Sequence, residues 1–198
     1  MSNNIVTISR ENGSGGREIG AAVAERLGYK YYDQELVKEA VKQSGYAAEH
    51  FENYEEGAKN SLLYAISQSL SYSASGNVWT LESKVYLAQA EVIRNIAKEG
   101  SCVIVGRCAD FILDGTPNLV KVFIMADEQS KIERIMRSHD FTEERAKQYI
   151  HEMDRQRRNY YNYHTTSKWG RSTNYNLCID SGRGIQRAID TICTYIGK

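Results

Sequence analysis

A strand, a glycine-rich turn and a helix follow one another within residues 5–20, and this succession constrains the fold more than any other segment. The β-branched run Ile5-Val6-Thr7-Ile8 predicts a buried first strand. The turn Gly13-Ser14-Gly15-Gly16 comes next, and apolar residues at helical spacing begin directly after it. Glycines let backbone N–H groups point inward, and the positive end of a helix dipole attracts anions. The segment therefore predicts an anion-binding loop behind a buried strand.

The predicted anion-binding loop lacks two residues that such loops commonly carry. A P-loop ends in Gly-Lys followed by Ser or Thr, which serve phosphate and magnesium. Here the corresponding stretch is Gly15-Gly16-Arg17-Glu18, with no lysine and no hydroxyl. Arg17 or Arg10 could supply the missing charge, although a guanidinium is a planar fork rather than a point charge. A Rossmann loop is the competing interpretation because Asp33 lies where a ribose-binding acid would sit, but that loop requires glycine at position 18.

Composition and charge exclude several classes of protein. The chain has 198 residues, of which 41% are hydrophobic and 25% charged, and its formal net charge is zero. No global field therefore attracts nucleic acid or a membrane surface, and no run of sequence approaches a membrane span. The four cysteines form no Cys-x-x-Cys pair and the four histidines lack ligand spacing, so we expect reduced thiols and no metal-ligating residues. With no leader pattern before the first strand, we expect a single cytoplasmic domain over residues 1–198.

Helical and strand patterns alternate along the chain, which is typical of a parallel α/β sheet. Five strands are predicted, at residues 5–9, 29–32, 102–105, 120–125 and 177–179. Helices are predicted at residues 17–27, 34–43, 57–73, 80–99, 128–138 and 185–196, with a further helix capped by Thr142. The basic and aromatic stretch 154–175 has no clear period.

Polar residues follow every predicted strand at the point where it ends. In an open parallel sheet, ligands bind beyond the carboxyl ends of the strands. The residues at these ends are Gly13–Gly16, Asp33, Gly106-Arg107, Asp127 and Asp180-Ser181. The sequence therefore predicts one binding crevice at a single edge of the sheet.

Arg107 is a candidate for phosphate contact because it ends an apolar strand in the predicted crevice. An arginine in that position can contact a phosphate through two parallel hydrogen bonds. The competing interpretation is an arginine paired with a surface carboxylate such as Asp110.

Residues 154–163 form a stretch rich in arginine and tyrosine, which has three interpretations. On a helix, Arg155 and Arg158 share a face, whereas Arg157 points elsewhere. The stretch could be a lid whose arginines close over phosphates, or a single-strand nucleic-acid patch with aromatic side chains for base stacking. It could also be a solvated helix end. Zero net charge counts against nucleic acid.

Five segments of the chain together resemble the cytidylate kinase-like family. They are Ile8–Ile19, Tyr32-Asp33, Val103–Arg107, the arginine–tyrosine stretch with Trp169, and Ile179-Asp180-Ser181. The resemblance extends over nearly the whole chain and implies an α/β fold of the P-loop nucleoside monophosphate kinase kind. That fold has a five-stranded parallel sheet flanked by helices, a monophosphate-binding insert, here at 34–100, and a lid, here at 154–171.

The resemblance also implies the residues of the site. Those expected to bind ATP are Arg10, Gly13, Ser14, Gly15, Gly16, Arg17, Lys131, Arg134, Ser181 and Arg183. The acceptor site would contain Asp33, Arg107 and Asp110, and the catalytic arginines would be Arg17, Arg155 and Arg158. ATP and magnesium are the expected cofactors, with the metal held mainly by nucleotide and water.

The sequence thus predicts a phosphotransferase that moves the γ-phosphoryl group of ATP to a nucleoside monophosphate, with CMP or dCMP as the first expectation. Small nucleotides would be its partners. The alternative is a non-catalytic nucleotide sensor, which the missing loop lysine and hydroxyl favour.

Overall fold

The computed structural model describes residues 3–37 and 81–197, and its centre is a five-stranded sheet in which every pair of neighbours is parallel. The strands are Ile5–Arg10 (β1), Lys30–Tyr32 (β2), Cys102–Val105 (β3), Leu119–Met125 (β4) and Leu177–Asp180 (β5). They lie in the order β2-β3-β1-β4-β5. The five-stranded parallel sheet predicted from the sequence is therefore confirmed.

β1 occupies the middle of the sheet, and its register aligns the carboxyl ends of three strands. Ile8 pairs with Val105 of β3 and Val122 of β4, while Arg10 pairs with Ile124. The N–H of Gly106 donates to the Ile8 carbonyl at 3.0 Å, which brings the chain after β3 beside the end of β1. Side chains following β1, β3 and β4 can therefore meet at one edge.

The helices surround the sheet in the alternation that the sequence predicts. They are Gly16–Leu27 (α1), Leu81–Glu99 (α2), Ala109–Ile112 (α3), Glu128–His139 (α4), Glu143–His164 (α5) and Ile185–Ile196 (α6). One-turn 3₁₀ helices lie at Ser172–Asn174 and Ser181–Arg183.

Two apolar cores cover the two faces of the sheet because successive strand residues point to opposite sides. On one face, Ile5 and Ile104 pack with α2 and α3. On the other, Val6 and Ile8 pack with α1 and α6. Burial on both faces makes β1 a rigid base for the loop that follows it.

Local signals set several helix ends as predicted. Gly28 has a φ of 67° and closes α1, and Asp127 accepts a hydrogen bond of 2.9 Å from the Ser130 N–H at the start of α4. Thr142 accepts a bond of 3.3 Å from the Arg145 N–H at the start of α5. A side-chain oxygen in this position satisfies an N–H group that the helix leaves unpaired.

The largest departure from the predicted elements is the length of α5. The stretch 154–175 has no apolar period, yet α5 continues through it as far as His164. The predicted lid at 154–171 is therefore the end of a long helix and the turn that follows it. Residues 34–37 are helical, but the rest of the predicted helix 34–43, the helix 57–73 and most of the insert 34–100 lie outside the described residues.

Within residues 3–37 and 81–197, no helix combines the length and apolar character that crossing a bilayer requires.

Candidate functional site

The anion-binding loop, residues 11–15 between β1 and α1, depends on glycine at two points. Gly13 and Gly15 have φ angles of 77° and 75°, a left-handed conformation that glycine adopts without strain. A Cβ on Gly13 would lie 2.9 Å from the carbonyl oxygen of Lys131, and one on Gly15 would lie 2.6 Å from Ile185 Cδ1. The backbone conformation therefore favours glycine at both positions, and at Gly13 the backbone of Lys131 also leaves no room for a side chain.

The N–H groups of Gly13, Gly15 and Gly16 have no hydrogen-bond acceptor in the part of the chain that the structure describes. The Ser14 N–H lies 3.4 Å from the Glu11 carbonyl oxygen. Gly16 also begins α1, so its N–H belongs to the helix end where the dipole favours negative charge. This arrangement can bind a polyanion.

Side chains from α4 and from the chain after β5 hold the loop in this shape. Arg134 donates to the carbonyl oxygen of Gly13. The buried Ser181 hydroxyl lies 2.6 Å from the Ser14 carbonyl oxygen and 3.1 Å from that of Met125. Lys131 pairs with Glu11 at 3.0 Å. Four of the residues predicted to bind ATP follow β4 or β5. Three of them, Lys131, Arg134 and Ser181, lie against the loop and contact its atoms, whereas Arg183 is exposed.

Arg10 reaches from the end of β1 across the space beside the loop. A Cβ on Gly16 would lie 2.6 Å from Arg10 Cβ, and one on Gly106 would meet the Arg10 guanidinium. Both glycines therefore make room for this one side chain. Burial, followed by the nearby charges of Arg157 and Arg107, lowers the pKa of Arg10 to about 9. No carboxylate of the described residues lies within 4 Å of its guanidinium to compensate.

A cavity of about 250 Å³ lies at this edge of the sheet, and three arginines from different elements line it. Arg10 ends β1, Arg107 follows β3 and Arg157 belongs to α5. The other residues lining it are Ser9, Gln34, Gly106, Cys108, Gln156, Tyr160, Tyr161 and Trp169. Three cations around one cavity repel one another unless an anion lies between them. The cavity therefore has the electrostatics of an anion site.

Arg107 adopts a backbone conformation that is uncommon for a residue with a side chain. Its φ is 57°, and that of Cys108 is 56°. The Arg107 guanidinium carbon lies 5.5 Å from the centre of the Tyr160 ring, and its buried Nε has no hydrogen-bond partner within the described ranges. Burial raises the pKa of Tyr160, so the ring stays neutral under the cation. Arg107 thus lines the cavity while one buried donor of its guanidinium remains unpaired.

Asn12 connects the loop to α5 through two hydrogen bonds. Its N–H donates to Asp154 Oδ1 at 2.6 Å, and its side-chain oxygen accepts from Arg157 at 3.2 Å. Asp154 and Arg157 lie 3.3 Å apart. Burial raises the pKa of Asp154 and lowers that of Arg157, since desolvation outweighs their mutual attraction.

Asp110, predicted to bind the acceptor, is buried with partners of its own. Tyr161 donates to Oδ2 at 2.8 Å, and the Ser9 hydroxyl lies 3.4 Å from Oδ1. Burial raises the pKa of the carboxyl. Asp110 does not line the arginine-lined cavity, and it forms no ion pair with Arg107, the pairing that the competing interpretation of that arginine named.

Arg17, predicted as the substitute for the loop lysine, points to two carboxylates. It lies 2.6 Å from Asp33 and 3.1 Å from Glu35, and 62% of its side chain is exposed. Asp33, predicted for the acceptor site, also accepts hydrogen bonds from the N–H groups of Glu35 and Leu36. The structure therefore pairs the exposed Arg17 guanidinium with the buried Asp33 carboxylate at the start of a helix.

Of the four arginines in the predicted lid, Arg155, Arg157, Arg158 and Arg171, Arg157 is the one that lines the cavity. Arg155 and Arg158, the predicted catalytic pair, are exposed, and Arg158 lies 5.7 Å from the centre of the Trp169 ring. Helical spacing correctly separates Arg157 from Arg155 and Arg158 but does not say which face meets the sheet. The contact between Asn12 and Asp154 determines that orientation, and no local pattern indicates it.

Magnesium, which the resemblance implies, needs oxygen ligands. Within residues 3–37 and 81–197, no group of three or more His, Cys, Asp and Glu could hold a metal ion. The side-chain oxygens of the loop are engaged, because Ser14 Oγ donates to the Glu11 carbonyl and the Glu11 carboxylate pairs with Lys131. Position 17 carries arginine instead of a hydroxyl. The loop does not fit a magnesium site of the P-loop kind.

The parallel sheet, the uncapped glycine loop behind its central strand and the cations at the end of that strand define a P-loop kinase-like protein. The chain belongs to the cytidylate kinase-like family, whose model matches residues 5–183. The resemblance inferred from the sequence is thereby confirmed. No curated protein matches the chain.

Solved structures support the same fold. An uncharacterized protein from Eubacterium ventriosum ATCC 27560 is 29% identical, with a TM-score of 0.76 and 99% of each chain covered. A shikimate kinase from Bacteroides thetaiotaomicron is 11% identical, with a TM-score of 0.57 and all of both chains covered. A gluconokinase from Sinorhizobium meliloti 1021 is 14% identical, with a TM-score of 0.55, covering 98% of this chain and 92% of its own. The predicted α/β kinase-like fold is confirmed.

Proposed function

We propose that the protein transfers the γ-phosphoryl group of ATP to the phosphate of a nucleoside monophosphate, with CMP or dCMP as the first acceptor to test. One observation carries the proposal. A loop with uncapped N–H groups and a cavity with three arginines adjoin at one sheet edge, and Arg10 borders both. A kinase needs two neighbouring anion sites of this kind, one for the donor and one for the acceptor.

The donor phosphates would bind the N–H groups of the anion-binding loop and the N-terminus of α1. Lys131, Arg134 and Ser181 would contribute through the loop atoms that they hold rather than through the nucleotide itself. Arg183, which is exposed beside Ser181, is the candidate for contact with the donor base. Any magnesium that accompanies ATP would be held mainly by nucleotide and water, since position 17, directly after Gly16, carries arginine instead of a hydroxyl.

The acceptor phosphate would bind between Arg107 and Arg157. Both guanidinium groups line the cavity, and a planar fork can donate two parallel hydrogen bonds to a phosphate. Tyr160 and Trp169 supply aromatic walls on which a base could stack. Asp33 and Asp110 would act as positioning residues, one at the start of a helix and the other beneath the cavity.

Transfer would proceed by alignment and charge neutralisation, with no covalent protein intermediate. The oxygens of the moving phosphoryl group carry negative charge, which fixed guanidinium groups stabilise without having to reorganise. Arg155 and Arg158 are exposed in this structure and would serve only if α5 or its following turn moved toward the nucleotides. Arg157 already lines the cavity and needs no such movement.

The decisive experiment measures ATP binding and turnover side by side. Calorimetry gives the affinity for ATP, and a coupled assay detects nucleoside diphosphate formed from CMP, dCMP, UMP, AMP or GMP. Turnover with any of these monophosphates supports the proposed function. The monophosphate that is turned over fastest identifies the acceptor specificity. ATP binding without turnover on any monophosphate would instead select the nucleotide sensor. A protein that binds no ATP would refute both.

A further inference from the structure

Positions 10 and 16 of this chain differ from the usual P-loop pattern in opposite ways: a cation stands where the pattern has glycine, and glycine stands where it has lysine. In the pattern G-x-x-x-x-G-K-[ST], the second glycine directly precedes the lysine. When Gly15 is taken as that second glycine, the lysine position is 16 and the first glycine position is 10. This chain has Gly16 and Arg10 there. The cation and the glycine have changed places.

The packing of the two residues explains why both changes occur together. A Cβ on Gly16 would lie 2.6 Å from Arg10 Cβ and 2.9 Å from its Cγ, which is closer than side-chain atoms approach. A long side chain at position 16 is therefore incompatible with Arg10. The stem of Arg10 fills the volume through which a side chain at position 16 would leave the helix.

The charge of Arg10 is also placed where a loop cation is needed. Its guanidinium lies beside Gly106 and borders the arginine-lined cavity, while its stem packs on the first residue of α1. Burial, followed by the charges of two neighbouring arginines, lowers its pKa, and a bound polyphosphate would relieve the part that comes from repulsion. Arg17 does not meet this need because Asp33 and Glu35 already neutralise it.

We propose that Arg10 performs the role of the loop lysine, contacting the transferring phosphate of the donor from the end of β1, and that Gly16 is the compensating half of this exchange. The inference rests on the proposed phosphotransfer and deepens it. It replaces Arg17 with Arg10 as the catalytic cation. Because Arg10 also borders the acceptor cavity, it would contact the phosphoryl group from the side that faces the acceptor.

The test is a reciprocal exchange of the two residues. Arg10→Gly, Gly16→Lys and the double variant are compared with the wild type by thermal unfolding and by calorimetry with ATP. Arg94→Ala, which removes an exposed cation from α2, is the matched control. Arg10→Lys keeps the charge without the fork and provides a folded variant if Arg10→Gly is unstable.

Arg10→Gly should weaken ATP binding about 10- to 100-fold, the range expected for one charge-assisted contact. Gly16→Lys should lower the melting temperature because the new side chain overlaps Arg10. The double variant should recover the melting temperature and bring ATP affinity to within about 5-fold of the wild type. Arg10→Lys should bind ATP more tightly than Arg10→Gly, and the control should bind like the wild type.

An unrescued double variant, or an Arg10→Gly protein that binds ATP as tightly as the wild type, would overturn the exchange while leaving the proposed function intact. Conversely, rescue of ATP affinity in a protein that turns over no monophosphate would support the exchange and remove the proposed catalysis. A wild type that fails to bind ATP would overturn both.

Discussion

The Asp154 carboxylate accepts a hydrogen bond of 2.6 Å from the backbone N–H of Asn12, and so joins the long helix α5 to the anion-binding loop. Arg157, from the same turn of α5, donates to the Asn12 side chain and also lines the cavity. The loop and the cavity therefore share one support. Displacing α5 would disturb the proposed donor and acceptor sites together.

Asp154→Ala should destabilise the protein by about 1–3 kcal/mol, because it leaves the Asn12 N–H without an acceptor and the Arg157 guanidinium without its carboxylate partner. Urea unfolding measures the loss. Glu152→Ala is the control on the same helix, since its contact with Arg145 is a partly exposed pair at 3.9 Å and should be worth about 0–1 kcal/mol. Equal losses for the two variants would contradict the special role of Asp154.

Arg107→Ala should weaken binding of the monophosphate acceptor by about 10- to 100-fold and leave ATP binding nearly unchanged. The reason is that Arg107 lines the cavity, whereas the uncapped N–H groups belong to the loop. Calorimetry with each nucleotide separately measures both affinities. Arg107→Lys should recover only part of the loss, since an ammonium lacks the fork. A similar loss of both affinities would place Arg107 outside a separate acceptor site.

Ser181→Ala should cost about 1–3 kcal/mol of stability, because the buried carbonyl of Ser14 loses its donor. We expect weaker ATP binding through the altered loop but an unchanged ratio of ATP affinity to GTP affinity. Ser138→Ala, which removes an exposed hydroxyl bonded to the Ile135 carbonyl, is the control and should cost less. A changed base preference would show that Ser181 contacts the donor base directly.

Asp110 should make the protein's stability fall as pH rises from the acid range toward neutrality. Burial raises the pKa of its carboxyl above the ordinary value for an aspartate, so the folded state keeps a proton that the unfolded state has lost. Stability falls with pH wherever the folded state binds more protons. Asp110→Asn removes this titration while keeping an oxygen for the Tyr161 hydroxyl. Its stability relative to the wild type should therefore increase as the pH rises above about 4, the range in which the unfolded carboxyl ionises first, as measured by urea unfolding. A difference independent of pH would contradict the prediction.

Much of the fold could be predicted because its signals are local. Apolar runs such as Cys102–Val105 identify strands, and the caps Asp127 and Thr142 set helix starts. α5 was the exception, since it buries only Ala146, Ile150 and Tyr161 of its 22 residues and so shows no apolar stripe. A helix held mainly by polar contacts has little hydrophobic periodicity to detect.

The candidate site was predictable as a region but not in its individual contacts. The convergence of strand ends correctly brings Gly106 and Arg107 beside the loop. Arg17 lies nearest to the glycines along the chain, but only the structure pairs it with Asp33 and Glu35. The positions of Arg157 and Asp110 depend on α5 contacting the sheet edge across more than a hundred residues of sequence, which neither spacing nor composition encodes.

The close approach of Gly16 to Arg10 couples what the two positions can accept. Lysine at position 16 alone would collide with Arg10. Under the proposed exchange, glycine at position 10 alone would leave the loop without its cation. Protein engineering at either position should therefore change both together.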